Sequence, residues 1–115
     1  MFLSRFTTPA PDVVIGEFYG DPVTAIIDKK ERFVIMIGCG MIIYNLKEPF
    51  QPYQYNLKTG QWKELFREVE THWWIESIIQ TGENTFHFTV EPDSNETLTY
   101  ELTFPEWMVS IFVGQ

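Results

Sequence analysis

The sequence contains a single cysteine, Cys39, so no disulfide can form within the chain. This excludes a disulfide framework and a cysteine-based zinc knuckle, and it suits a reducing compartment. Long apolar runs are also missing: the most apolar stretch, residues 33–44, is interrupted by two glycines and is shorter than the roughly 20 residues of a membrane span. Residues 1–12 lack the apolar core of a secretion signal. We therefore expect a cytoplasmic protein that neither spans nor binds a membrane.

Lysine and arginine are missing from residues 68–115, which we call the acidic second half, because all 8 of them lie at or before Arg67. With 16 Asp and Glu residues the formal net charge is −8 at pH 7. Nucleic acid is not an expected partner, since phosphate contacts need clustered Lys and Arg. The acidic second half either keeps the protein soluble through self-repulsion or steers it toward a basic protein, unless the fold brings the early lysines beside it.

Apolar and aromatic residues are plentiful, at 44% and 17% of the 115 residues. This supply fills one core without metals or disulfides, and the length predicts a single domain over residues 1–115.

The first half of the chain has the pattern of short strands. Residues 13–19 and 23–28 predict strands, and Lys29-Lys30-Glu31 is a polar connection of hairpin length. Residues 33–44 predict either two short buried strands or one strand bent at its glycines, paired with 23–28. Residues 1–12 predict an extended arm or an edge segment.

The middle of the chain gives two competing periods. Pro49 and Pro52 predict a loop with aromatic side chains. Residues 53–62 predict a hairpin in which Gly60 takes the positive φ angle. Apolar residues from Trp62 onward fall at helical spacing, so we favour a helix over 61–71, with a strand ending by Leu65 as the alternative.

The last third alternates clearly. Residues 73–79 and 107–113 predict strands, and between them two alternating runs on either side of residues 91–96 predict a half-buried antiparallel hairpin. Its apolar sets pair Val90 with Leu98, Phe88 with Tyr100 and Phe86 with Leu102, and the same register places His87 opposite Glu101. The predicted fold is mainly β with at most one short helix, in antiparallel sheets with meander-like hairpin connections that form a small sandwich or an open barrel.

No catalytic, metal or cofactor site is predicted. Cys39 lies in the most apolar run, and we expect no Lys, Arg or helix N-terminus near it, which favours an inert core thiol. His72 and His87 lack a third ligand at metal-binding spacing. Gly38-Cys39-Gly40 lacks the third glycine and the following helix of a dinucleotide-binding turn.

A surface that binds a partner is better supported than an enzyme. Trp and Tyr are favoured interface anchors, although one Trp of the pair Trp73-Trp74 can simply cover the sheet. The predicted partner-binding residues are the carboxylates, histidines and tryptophan displayed by the acidic half: Glu70, His72, Trp74, Glu76, His87, Glu91, Asp93, Glu96 and Glu101.

Four successive segments carry a family resemblance: GCGMIIYNL, KEPFQPYQYN, KTGQW and THWWIES. Their order, over about residues 33–79, resembles small acidic immunity proteins encoded beside bacterial polymorphic toxins, including those of contact-dependent inhibition systems. The resemblance implies a cytoplasmic, non-enzymatic inhibitor that occludes the active site of a cognate toxin, often a basic nuclease. It carries over no individual binding residue.

Two other functions remain open from the sequence. A small β-barrel or sandwich can hold an apolar ligand in a cavity lined by Tyr and Trp side chains. An edge strand formed by residues 107–113 can join copies of the chain, so we expect a monomer or a weak homodimer.

Overall fold

A computed structural model describes residues 3–7, 13–19, 23–55, 57–67, 73–90 and 98–111, with the backbone alone for 3–7 and 19. This part of the chain is all β. Its strands are β1 (Leu3–Thr7), β2 (Val14–Tyr19), β3 (Thr24–Ile27), β4 (Phe33–Gly38), β5 (Gly40–Asn45), β6 (Trp62–Leu65), β7 (Ile75–Gln80), β8 (Thr85–Val90), β9 (Leu98–Thr103) and β10 (Met108–Ile111).

The first sheet is an antiparallel meander in the order β3-β4-β5-β6. Residues 33–44 form two strands, as one of the two alternatives predicted, and the strands pair from Phe33 opposite Asn45 to Gly38 opposite Gly40. Gly40 has a φ angle of 92°, which a side chain rarely tolerates, and it lets the chain reverse around Cys39. The predicted pairing of this stretch with the strand before it is confirmed by the register between β3 and β4.

The second sheet is another antiparallel meander, in the order β10-β9-β8-β7. The hairpin of β8 and β9 has the predicted register, with Val90 opposite Leu98, Phe88 opposite Tyr100 and Phe86 opposite Leu102. Its alternation of buried and partly exposed residues follows the period of two in the sequence. The last strand, β10, pairs with β9 and confirms the strand predicted at the end of the chain.

The two four-stranded sheets pack face to face around one core, so the small sandwich is confirmed. Phe33, Ile35 and Ile37 of β4 meet Phe86 and Phe88 of β8 there, and all five are fully buried. Full burial of side chains of this size contributes about 1.5–3 kcal/mol each. The ring of Trp107, which precedes β10, packs edge-on against Phe33 at a centroid distance of 4.9 Å.

A second apolar cluster covers the opposite face of the first sheet. Phe18 of β2 and Tyr53 of the proline-containing loop pack there against Met36, Tyr44 and Trp62. Strands β4 and β5 are therefore buried on both faces, which explains why residues 33–44 read as a continuous apolar run instead of an alternating one. Strand β1 (Leu3–Thr7) pairs with β2 as a ribbon, in agreement with the predicted edge segment.

The helix over residues 61–71 is wrong, and the alternative is right: β6 is a strand that ends at Leu65. Trp62 stacks on Tyr44 in the outer cluster, at a centroid distance of 6.0 Å, whereas Leu65 and Phe66 pack on the core between the sheets. The apolar residues at helical spacing thus serve two opposite faces. Phe66 has a φ angle of 59°, and residues 68–72 lie outside the described part.

The hairpin predicted over residues 53–62 is also wrong. The segment before β6 is irregular in the described residues, and β6 pairs with β5 instead. Among the described glycines the positive φ angle belongs to Gly40 and not to Gly60. No helix long and apolar enough to cross a membrane occurs in the described ranges.

Candidate functional site

The two sheets differ in how their outer faces are covered. The outer face of the first sheet carries β2 and the proline-containing loop, whereas the outer face of the second sheet points to solvent. We call the latter the open face. It consists of the residues that alternate with the core positions of β7–β10: Ser77, Ile79, Thr85, His87, Thr89, Thr99, Glu101, Thr103, Met108 and Ser110.

A histidine and a carboxylate occupy the middle of the open face. Nε2 of His87 lies 3.1 Å from Oε2 of Glu101, and the two residues are direct cross-strand partners, as the sequence predicted. The side chain of Glu101 is about one-third exposed (36%). Beside them the hydroxyls of Ser77 and Thr89 share a hydrogen bond of 2.6 Å. This arrangement presents a flat polar face whose one full negative charge comes from Glu101.

Large apolar side chains flank this polar centre on the two edge strands. Ile79 on β7 is 61% exposed and Met108 on β10 is 65% exposed. The open face thus has apolar side chains at its flanks and short hydroxyl side chains between them. The arrangement offers contact area and hydrogen-bonding groups together.

A bulge at the start of β7 displays two more of the predicted residues. Ile75 pairs with Val90 and Ser77 pairs with Thr89, so Glu76 is the extra, exposed residue between them. Of the adjacent tryptophans, Trp73 packs on the core with its ring 4.3 Å from that of Phe66. Trp74 is 42% exposed, so the pair is divided between core and surface.

The structure therefore brings His87 and Glu101 together and places Trp74 and Glu76 at one edge of the same sheet. The other predicted partner-binding residues, Glu70, His72, Glu91, Asp93 and Glu96, lie outside the described residues. In the part of the chain that the structure describes, no group of three or more His, Cys, Asp or Glu side chains is placed to hold a metal ion.

The fold does bring early cations beside the acidic half, at the end of the sandwich where β7 turns into β8. Lys30 forms an ion pair with Glu83, and Nη1 of Arg32 donates to the side-chain oxygen of Asn84 at 2.9 Å. The negative field of the second half is thus offset at this end. The strands β7–β10 themselves carry no Lys or Arg, so the open face keeps its negative sign.

A buried carboxylate anchors this junction, and the sequence reasoning missed it. Asp28 is 2% exposed and accepts hydrogen bonds from Nε of Arg32 at 2.6 Å and from Nε2 of Gln80 at 2.9 Å. The Arg32 bond, assisted by Gln80, outweighs burial and lowers the pKa of Asp28 to about 2. The spacing of Asp28 and Arg32 across the Lys29-Lys30-Glu31 turn was the available signal.

Arg67 forms a second internal cluster that the sequence did not reveal. Its side chain is 9% exposed, Nη2 donates to the Glu17 carbonyl oxygen at 2.8 Å, and Nε lies 3.4 Å from Oε1 of Glu64. Tyr53 donates its hydroxyl to Glu64. The pKa of Tyr53 is raised, mainly because the side chain is buried and secondly because of this hydrogen bond. These contacts hold the end of β6 against β2, so the cluster is part of the scaffold.

Cys39 is less buried than predicted. It lies at the tip of the hairpin of β4 and β5 and is partly exposed, because the strands that bury its neighbours end there. The expectation that no cation lies near it is also wrong, since Arg67 acts on it electrostatically. Burial nevertheless dominates and raises the pKa of the thiol, so the group is held in its less reactive protonated form.

A surface groove of about 710 Å³ lies at the end of the first sheet, lined by polar residues that include Arg32, Asn45, Lys47 and Gln61 and by the apolar side chain of Phe50. Several of the polar groups bond each other; for example, Nε2 of Gln61 donates to the Asn45 carbonyl oxygen at 2.6 Å. The groove is open to solvent, so it is not the enclosed apolar cavity that a sandwich holding an apolar ligand would need.

Comparison with known proteins gives no match to a family model, a curated protein or a solved structure.

Proposed function

We propose that the chain is a non-enzymatic, cytoplasmic immunity protein that binds and neutralises a cognate basic protein toxin, such as a nuclease, through the open face. The observation that carries the proposal is the asymmetry of the sandwich. The first sheet is covered on both sides, and the sheet face that no described element covers belongs to the half of the sequence without Lys or Arg.

Charge supports a basic partner over a neutral one. The chain has a net charge of −8, and Lys30 and Arg32, which lie at one end of the second sheet, each form an ion pair there. A cationic toxin would therefore approach the open face without meeting a positive side chain on β7–β10. Complementary charge of this kind raises association rates and suppresses wrong partners more than it adds final affinity.

The apolar side chains around the open face supply binding energy, which complementary charge alone does not. Ile79, Met108 and Trp74 are large, exposed and distributed along the two edges of the second sheet. Buried aromatic and aliphatic anchors dominate the energy of most interfaces, while the surrounding polar contacts exclude water. Together with the neighbouring carboxylates they suit an interface of the standard size, about 1,600 Å² in total.

The test uses the protein encoded directly upstream of this chain. That protein, expressed in a host that lacks the present chain, is expected to arrest growth, and co-expression of the chain is expected to restore it. Purified together, the two are expected to form a 1:1 complex. Failure of the chain to bind the upstream product and to restore growth would overturn the proposal.

A further inference from the structure

The edges of the two sheets are protected to different degrees. On the second sheet β7 carries the bulge at Glu76, and Trp74 just before it forms an isolated bridge with Cys39 of the other sheet. On the first sheet β6 carries Lys63 and Glu64. At the end of β3 the Lys29 amide donates to Oε1 of Gln80 at 2.9 Å, which ties that edge to β7. Bulges, charges and covering contacts of this kind prevent sheets from pairing with other chains.

The edge strand β10 has none of these protections among the residues that the structure describes. Its sequence is MVSI, without charge or proline, and it pairs with β9 in unbroken register over all of its residues. Val109 packs on the core, while Met108, Ser110 and Ile111 are exposed. No described strand pairs with its second side, and an edge strand leaves a row of backbone N–H and C=O groups there for another strand to bind.

We propose that the partner of this edge is a second copy of the chain, paired antiparallel through β10 about a two-fold axis. In an antiparallel pair, residues that lie opposite each other point to the same face of the sheet. Because side chains alternate between the faces, the numbers of two opposite residues differ by an even amount. The two-fold axis therefore passes beside one residue, which lies opposite its own copy. With Ser110 on the axis, Val109 of each copy faces Ile111 of the other on the core side. This register gives each exposed Ile111 an apolar partner.

The charges permit self-pairing at this edge. The nearest carboxylate on the adjacent strand is Glu101, which pairs with Ser110. Across the axis the two Glu101 residues are separated by three strand spacings, about 14 Å. This exceeds the screening length of about 8 Å at physiological ionic strength. The remaining repulsion between the copies comes from the net charge of −8 on each. Because salt screens this repulsion, rising salt strengthens the dimer.

The small size of the contact sets its strength. A pair of four-residue strands buries well under the roughly 1,600 Å² of a standard stable interface. The dimer is therefore weak and depends on concentration. Its response to salt is the opposite of the response expected for a basic partner at the open face, so the two proposals stand or fall separately.

The first test measures sedimentation over about a hundredfold range of protein concentration, at low and high salt. The wild type is expected to shift from monomer toward dimer, more so at high salt. Ile111→Lys should stay monomeric, because a charged edge residue opposes pairing. The matched control is Ile79→Lys, whose residue has the same 61% exposure on the opposite edge of the same sheet; it should associate like the wild type. A monomeric wild type, or equal loss in both variants, overturns the proposal.

The second test fixes the register in a Cys39→Ala background. Paired residues of antiparallel strands have Cα atoms about 4.5–5.5 Å apart, within the range for a disulfide. Ser110→Cys is expected to form a covalent dimer under mild oxidation, and Thr99→Cys on the inner strand β9 is not. Both sites are on the open face, so folding should be equally retained. Absence of the Ser110→Cys dimer, or equal cross-linking in both variants, overturns the register.

Discussion

A single buried carboxylate, Asp28, connects the two sheets at the end where β3 turns into β4. Its oxygens accept hydrogen bonds from Arg32 of that turn and from Gln80 at the end of β7. The guanidinium of Arg32 also lies 4.6 Å from the ring centre of Phe104, beside β9. One side chain pair thus joins strands that lie far apart in the sequence, and its loss affects both sheets.

Replacement of Asp28 should lower stability in a way that depends on pH. The folded-state pKa of about 2 lies below the ordinary aspartate value of 3.8, so the charge contributes stability that is complete above about pH 4 and is lost as pH falls toward 2. The shift corresponds to about 2 kcal/mol. Asp28→Asn should cost at least this much in urea unfolding at pH 7, and the gap to the wild type should narrow below pH 3.

The control for that measurement is Glu83→Gln, which removes the exposed ion pair with Lys30 at the same end of the sandwich. It should change the free energy of unfolding by less than about 1 kcal/mol. A gap between wild type and Asp28→Asn that stays constant from pH 7 to pH 2 would contradict the assignment.

Gly40 is required for two reasons that act together. Its φ angle is 92°, and a Cβ atom there would lie 2.2 Å from Cγ of Arg67 and 3.0 Å from the carbonyl oxygen of Phe66. Gly40→Ala should therefore destabilise the fold by at least about 2 kcal/mol in chemical denaturation. Gly60→Ala is the matched substitution, since nothing lies within 4 Å of its added Cβ, and it should change stability by less than about 1 kcal/mol. Similar losses in both variants would exclude this explanation.

At the scale of strands, the alternation of apolar and polar residues predicted correctly the strands that have one buried and one exposed face. The hairpin of β8 and β9 has one face in the core and one toward solvent, so its sequence fixes both register and partners, including His87 opposite Glu101. A helix was favoured over the strand β6 because Trp62 and Leu65, which fall at helical spacing, pack into different apolar clusters on opposite faces. A three-layer arrangement provides apolar environments on both sides of a strand, and hydrophobic spacing alone does not distinguish that case from one helical face.

The paired tryptophans before β7 provide a test of this alternation. Trp73 stacks between Phe66 and Tyr100, at centroid distances of 4.3 and 5.0 Å, so Trp73→Ala should cost about 2–4 kcal/mol of stability. Trp74 is largely outside the core, and Trp74→Ala should cost less than about 1 kcal/mol while weakening the complex with the upstream gene product. Calorimetric melting and titration of the same two variants measure both effects. Reversed stability losses would show that the faces are assigned wrongly.

At the scale of the whole molecule, the candidate site follows from what covers each sheet. The sequence predicted a strand at 13–19 and a loop after Tyr44, but not that both pack on the outer face of the first sheet. That choice depends on contacts between segments distant in sequence, such as the Arg67 bond to the Glu17 carbonyl. Composition alone therefore identified the acidic half, while the choice of the open face needed the three-dimensional arrangement.

Binding through the open face predicts a local charge effect in addition to a global one. Glu101→Lys reverses the charge at the centre of that face, beside His87. It should weaken binding of the upstream gene product about tenfold, mainly through slower association, and the wild-type affinity should fall as salt rises. Glu48→Lys changes the net charge equally but lies in the exposed proline-containing loop on the opposite layer, so it should have a much smaller effect. Surface plasmon resonance at several salt concentrations separates the two. Equal weakening by both substitutions would show that only the net charge matters. If Glu101→Lys does not weaken binding, the open face is not the binding site.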